Sequence, residues 1–211
     1  MLNLYTFWRN TVKNFSVTGA IAPSSNSLAK TITGLLSLKK KPARILEVGA
    51  GTGVVTEKIL TLLGPEDHLD ICEISPHFIR FLQKRFQEEK IFKNAPCPVN
   101  LFPCDVQKIP VDKPYDYIIS SLPFNVFDPH TVQKILDHYL QIVNPSGWIS
   151  YFEYIGIRPV KAFFSNSREK QRIQAVERVV KQFINQNEIF HNHVWLNLPP
   201  AYVRHCQKKS S

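Results

Sequence analysis

The 211-residue chain predicts an α/β fold: a mostly parallel sheet, helices on both faces, and an antiparallel hairpin at the C-terminus. Three observations carry this reading. From Ile45 onward, short apolar runs alternate with stretches of helical period. The first run breaks into Glu47-Val48-Gly49-Ala50-Gly51-Thr52-Gly53, a glycine-rich turn ahead of a helical pattern. The tail holds two strand-like runs, Ile189 to Leu198 and Ala201 to Cys206, that turn at Pro199-Pro200.

The elements follow in order. Leu2 to Phe15 reads as an amphipathic helix, because Leu4, Trp8, Val12 and Phe15 recur at helical spacing. A second helix starts after Ser24 or Ser25 as cap and runs through Leu28, Ile32, Leu35 and Leu36, until Lys39-Lys40-Lys41-Pro42 breaks it. Ile45 to Val48 is a buried strand and Val54 to Leu63 the helix after it. Leu69 to Cys72 is the second strand, and Phe78, Leu82 and Phe86 mark the next helix. Val99 to Phe102 and the run near Tyr117 are the third and fourth strands, and Val132 to Val143 is helical. Asn144-Pro145-Ser146-Gly147 is a turn before a fifth strand, Trp148 to Tyr154. A basic helix covers about Glu169 to Asn185. Length and pattern suit one domain, residues 1–211, with a basic, amphipathic segment 1–41 and a ligand-binding core 42–211.

No apolar run approaches the roughly eighteen residues needed to span a bilayer, and Arg9 and Lys13 interrupt the N-terminal apolar residues, so no signal peptide is expected. The four cysteines have no close metal-ligand spacing, which suits a reduced, cytoplasmic protein without zinc. The net charge of +9 is uneven. Met1 to Lys41 holds Arg9, Lys13, Lys30, Lys39, Lys40 and Lys41 and no acid, and Arg158 to Lys181 is also rich in bases. That distribution suits an anionic partner, a phospholipid surface or a nucleic acid. It also suits a plain solvated basic surface.

The alternating glycines permit a turn tight enough for a ligand to lie against bare backbone, with first-turn N–H groups facing its anionic part. Their spacing, Gly-x-Gly-x-Gly, is not the dinucleotide pattern Gly-x-Gly-x-x-Gly. Glu73 ends the second strand, where a doubly wound fold places the carboxylate that accepts from ribose hydroxyls. Asp105 follows the third strand, and Asp116-Tyr117-Ile118-Ile119-Ser120-Ser121-Leu122-Pro123-Phe124 is a strand breaking into a Pro-containing loop. On these residues the chain resembles the class I S-adenosylmethionine-dependent methyltransferases. The resemblance implies their seven-stranded Rossmann-like fold, with S-adenosyl-L-methionine as cofactor and S-adenosyl-L-homocysteine as product. It implies cofactor contacts from Glu47, Gly49, Gly51, Gly53, Glu73, Asp105, Val106 and Ser121, with Asp105 at the adenine amino group.

A narrower resemblance lies outside the glycine loop. Thr18-Gly19-Ala20-Ile21-Ala22-Pro23-Ser24-Ser25, Ser121-Leu122-Pro123-Phe124-Asn125 and Asn197-Leu198-Pro199-Pro200-Ala201-Tyr202-Val203 are similar to motifs of bacterial phospholipid N-methyltransferases. These methylate phosphatidylethanolamine stepwise towards phosphatidylcholine. The resemblance implies that the Pro-Ser-Ser loop closes over the cofactor, with Trp8, Ser24, Ser25, Pro123 and Phe124 serving acceptor or lid. Capping or strand ending accounts equally well for Ser24, Ser25 and Ser121. Glu153 and Tyr154, near the end of the fifth strand, are the candidate amine contacts; the other readings are a solvated or cofactor-bracing Glu153 and a core Tyr154. The first helix reads as a reversible interfacial anchor or as a helix packed on the sheet. The expected protein is a peripheral monomer at the inner face of an anionic membrane. RNA is the alternative partner, because Ser121 to Asn125 is also similar to the Asn-Leu-Pro-Tyr-Asn loop of RNA adenine methyltransferases. A non-catalytic methyltransferase-like binding domain is the third reading, against which the intact glycines, Glu73 and Asp105 stand.

Overall fold

The computed structural model describes residues 26–155, 167–197 and 199–209. The first helix, Trp8, Ser24, Ser25 and the Thr18 to Ser25 motif therefore lie outside the described residues. In chain order the elements are α1 (Asn26–Ile32), β1 (Arg44–Val48), α2 (Val54–Leu60), β2 (His68–Cys72), α3 (Pro76–Glu88), α4 (Lys90–Lys93), β3 (Val99–Phe102), β4 (Tyr115–Ser120), α5 (Pro129–Ile142), β5 (Val143–Tyr154), α6 (Ser167–Asn187), β6 (Glu188–Val194) and β7 (Ala201–Gln207). The strands form one seven-stranded sheet in the order β3-β2-β1-β4-β5-β7-β6. β1 to β5 are parallel, and β7 runs antiparallel between β5 and β6. This is the Rossmann-like methyltransferase fold expected from the sequence.

The order reverses at β1, between β2 and β4, which opens a crevice beyond the carboxyl ends of the strands. Alternation along each strand feeds two cores. Leu46, Val48, Ile118, Ile149 and Tyr151 face α5 and α6, while Ile45, Leu69, Ile71, Ile119 and Phe152 share the other core with α1 and α2.

Several element boundaries differ from expectation. The helix expected to reach Leu36 ends at Ile32 and continues as a 3₁₀ turn, Gly34–Leu38. Thr33 turns its Oγ1 back onto the Ala29 carbonyl at 2.7 Å, and Gly34 adds a flexible backbone. Leu28, Ile32 and Leu36 are nevertheless all buried. The turn expected at Asn144 to Gly147 is built into β5 instead. Val143 pairs with Tyr115 and Trp148 with Tyr117, so the intervening residues bulge from the ladder. A Cβ on Gly147 would lie 2.9 Å from the Tyr115 carbonyl oxygen, which explains the glycine there. Helix α5 starts three residues before expectation, since Asp128 caps it by accepting from the Thr131 N–H at 2.9 Å, with Pro129 in the first turn.

Candidate active site

The glycine loop joins β1 to α2. Gly49, Gly51 and Gly53 have φ of 73°, 56° and 80°, a region other residues enter only with strain. The glycines serve different ends. A Cβ on Gly49 would meet the Leu122 side chain at 2.9 Å, and one on Gly53 would meet Leu82 at 2.9 Å. One on Gly51 would meet no atom within 4 Å, so the loop's central glycine faces open space where a ligand can approach the backbone.

Glu73 fastens this loop to the end of β2. Its Oε2 accepts from the Gly51 N–H at 3.0 Å and its Oε1 from the Ser75 N–H at 2.8 Å. Each carboxylate oxygen retains a lone pair for a ligand hydroxyl. Burial raises the Glu73 carboxyl, opposed by those backbone N–H groups. A small cavity opens beside it, lined among others by Val48, Gly49, Glu73, Asp105, Val106 and Leu122. Asp105 caps the 3₁₀ turn Val106–Lys108 through the Gln107 N–H at 3.0 Å, which fixes its carboxylate at the rim. Ser121 donates its N–H to the Val48 carbonyl at 2.8 Å, and its buried Oγ has no hydrogen-bond partner among the described residues.

Glu47 lies elsewhere. It is fully buried and is not among the residues lining that cavity. Thr56 of α2 donates to its Oε2 at 2.7 Å, while Oε1 lacks a partner among the described residues. Burial, with a smaller contribution from Glu73, pushes its carboxyl up to about 8, against the Thr56 hydrogen bond. The sequence pattern also missed Arg85. Its guanidinium donates to the Thr52 carbonyl at 2.9 Å and to Glu57 at 2.7 Å, and stacks 4.0 Å from the Phe92 centroid. It braces the loop from below.

A second small cavity lies at the ends of β4 and β5 and is lined by Pro123, Phe124, Asn125, Phe152, Glu153 and Tyr154. Glu153 is not the solvated carboxylate considered from sequence: Arg204 of β7 donates to its Oε1 at 2.6 Å, and the same guanidinium also bonds Glu188. Tyr154 packs edge-on to Phe152 at 5.2 Å, and burial raises its phenol, which stays protonated at neutral pH. Phe124 is 3% exposed and packs against Tyr151 at 5.4 Å on one side of this cavity. Arg172 of α6, grouped from sequence with a basic face, donates to the Asn125 carbonyl at 3.1 Å and to the Phe127 carbonyl. Its charge is also met by Glu169 at 2.7 Å. It clamps the loop after β4.

Residues 45–147 match a protein-family model described as a methyltransferase domain. The chain is 26% identical over 176 residues to the malonyl-[acyl-carrier protein] O-methyltransferase of Bacillus cereus, covering 79% of this chain and 61% of that one. It is also 26% identical over 148 residues to the ornithine lipid N-methyltransferase of Singulisphaera acidiphila, covering 70% and 76%. The glycopeptide N-methyltransferase MtfA, solved with S-adenosyl-L-methionine, superposes with a TM-score of 0.63 at 14% identity, over 87% of this chain and 94% of that one. The chain spans about three fifths of the length of the malonyl-[acyl-carrier protein] relatives.

Over residues 45–147 the chain is thus similar to methyltransferase domains, and its fold is that of a structure solved with the cofactor S-adenosyl-L-methionine. The residues fit that group. Gly49, Glu73, Asp105 and Val106 line one cavity, and a Cβ on the adjoining Gly51 would meet no atom within 4 Å.

Proposed function

We propose that the protein methylates the amine of a phospholipid headgroup, phosphatidylethanolamine and its methylated intermediates, at an anionic membrane surface. The lining of the acceptor cavity carries this reading. Its walls are the rings of Phe124, Phe152 and Tyr154, and its charged side chain is a carboxylate, Glu153. That sign favours an amine and the cation formed from it, and disfavours an anionic malonyl carboxylate. The similarity to an ornithine lipid N-methyltransferase supports an amine on a lipid.

S-adenosyl-L-methionine, when bound, supplies an electrophilic methyl group on a sulfonium. The chain's own task is to hold it and to aim a neutral amine. Glu73 and the Gly51 loop would hold the ribose end, Asp105 and Val106 the base, and Ser121 the side nearest the acceptor. Pro123 to Asn125, clamped by Arg172, would set the approach of the amine. Glu153 would stabilise the charged amine before and after transfer, and the Tyr154 ring would offer a π face to the same cation. The buried phenol is not the proton acceptor.

The test supplies labelled S-adenosylmethionine with three acceptors in parallel: phosphatidylethanolamine vesicles containing phosphatidylglycerol, undermethylated ribosomal RNA, and a malonyl thioester of acyl carrier protein. Label in mono-, di- or trimethylated lipid is expected. Label confined to RNA adenine or to the malonyl ester overturns the reading.

A further inference from the structure

The β6–β7 turn is unlike the rest of the surface. Trp195 is 66% exposed and the adjacent Leu196 is 87% exposed. Neighbouring apolar side chains held this far into water on one tight turn cost solvation that a globular surface normally avoids. The turn is ordered around them. Asn197 is buried and donates to the Pro199 carbonyl at 2.7 Å. The His193 ring stacks on Trp195, with 5.3 Å between centroids and 16° between planes, and Tyr202 meets His193 edge-on at 4.7 Å. The indole is therefore presented on a fixed platform.

Its place in the sheet gives the exposure a direction. Val194 pairs with Ala201, and Ala201 pairs with Tyr154 of the acceptor cavity. The turn thus projects beyond the same sheet edge as that cavity, two strands away, about 10 Å at ordinary strand spacing. No Asp or Glu lies between Ile189 and Val203 around the turn, and the chain's net charge of +9 is attracted to anionic lipid as a whole.

We infer that the Trp195-Leu196 turn is a membrane-docking tip that enters the headgroup boundary of an anionic bilayer and holds the acceptor cavity over the lipid surface. Indole is suited to that boundary, with an apolar body and a polar N–H. A bilayer suits the tip better than a protein face does. Two side chains supply roughly 300 Å² of apolar area, well short of the ~800 Å² that one partner contributes to a stable protein interface. A wedge of that size can instead add to electrostatic attraction and bind reversibly. The inference rests on the lipid-acceptor reading and adds the surface by which the lipid is reached.

The chain has three tryptophans, so a full-length Trp8→Phe/Trp148→Phe protein reports on Trp195 alone. Vesicles of phosphatidylethanolamine with phosphatidylglycerol should shift Trp195 emission to the blue, and brominated acyl chains should quench it. In the otherwise native chain, Trp195→Ala/Leu196→Asp should weaken vesicle co-sedimentation about tenfold, with melting temperature and cofactor affinity unchanged. Unmoved Trp195 emission, or undiminished co-sedimentation of that variant, overturns the inference. So does a Trp195 response to RNA or acyl carrier protein in place of vesicles. Lipid methylation with a silent Trp195 defeats the docking tip alone. A Trp195 quenched by lipid in a chain that methylates only RNA or a malonyl ester supports the tip and defeats the acceptor reading.

Discussion

At the cofactor end of the crevice, Glu73 is held by the backbone N–H groups of Gly51 and Ser75, and Glu47 by the hydroxyl of Thr56. At the proposed acceptor end, Glu153 is held by a guanidinium that β7 shares between it and Glu188. The first arrangement leaves buried acids facing neutral dipoles, and both carboxyls are raised. The second meets a carboxylate with a charged partner at the edge of a cavity lined also by Phe124, Phe152 and Tyr154. The cofactor end is thus a rigid cradle built from backbone geometry. The acceptor end is assembled by long side chains from strands and helices added later in the chain, where a fold can change substrate without changing its cradle.

The largest expected effect tests the buried half of that contrast. Folding raises the Glu47 carboxyl from its ordinary 4.5 to about 8. Between those values the folded protein keeps a proton that the unfolded chain has lost. The stability involved is fully present below about pH 4.5, is lost as pH rises towards 8, and changes no further above it. Glu47→Gln keeps an acceptor for Thr56 and removes the titration. Denaturant midpoints of the cofactor-free protein should therefore fall less steeply with pH in the variant. The difference is roughly 1.4 kcal/mol for each pKa unit by which Glu47 is raised. Glu73 is raised as well, and its contribution remains in both proteins. Parallel pH profiles would mean that Glu47 ionises normally in the folded state.

The next effect is on ligand affinity. Glu73→Ala removes the acceptor for Gly51 and for the ribose hydroxyls together. Two charge-assisted hydrogen bonds lost from a buried site amount to about 3 kcal/mol, or roughly a 100-fold rise in cofactor Kd. Glu153→Gln should leave cofactor Kd unchanged and lower turnover on the lipid acceptor, by about tenfold. Calorimetry on both variants breaks the comparison if cofactor affinity falls equally in the two.

Sequence made the cradle legible because its partners are close in the chain or sit at fixed places in a doubly wound fold. Gly49, Gly51 and Gly53 require φ values that leave few other residues possible, and Glu73 ends a strand whose apolar run is plain. The β-hairpin likewise announces itself by its paired runs and Pro199-Pro200. What could not be read are the arginines. Arg85 reaches Thr52 across 33 residues, Arg172 reaches Phe127 across 45, and Arg204 reaches Glu153 across 51. An arginine on an amphipathic helix looks the same in sequence whether it is solvated or clamps a loop. Only the register of β5 with β7, and the seating of α6 on the loop after β4, decide which.

Arg172 offers the finest test, because it touches neither the cofactor cradle nor the acceptor cavity's charged wall. It holds Asn125 and Phe127 by their carbonyls, and so sets the height of the Pro123 to Asn125 segment over the crevice. Arg172→Met keeps most of the apolar stem and removes the clamp. Global stability should change by about 1 kcal/mol, since the lost bonds are half-exposed. Cofactor Kd should be unaffected. Turnover should fall by a few-fold to about tenfold, with KM for the acceptor little altered, because a loosened loop binds the amine but aims it less often. Arg172→Lys restores charge without the two-pronged geometry and should rescue stability more than turnover. If Met and Lys variants lose turnover and stability in parallel, Arg172 only stabilises the fold, and the acceptor loop is positioned by Pro123 and the buried Phe124 alone.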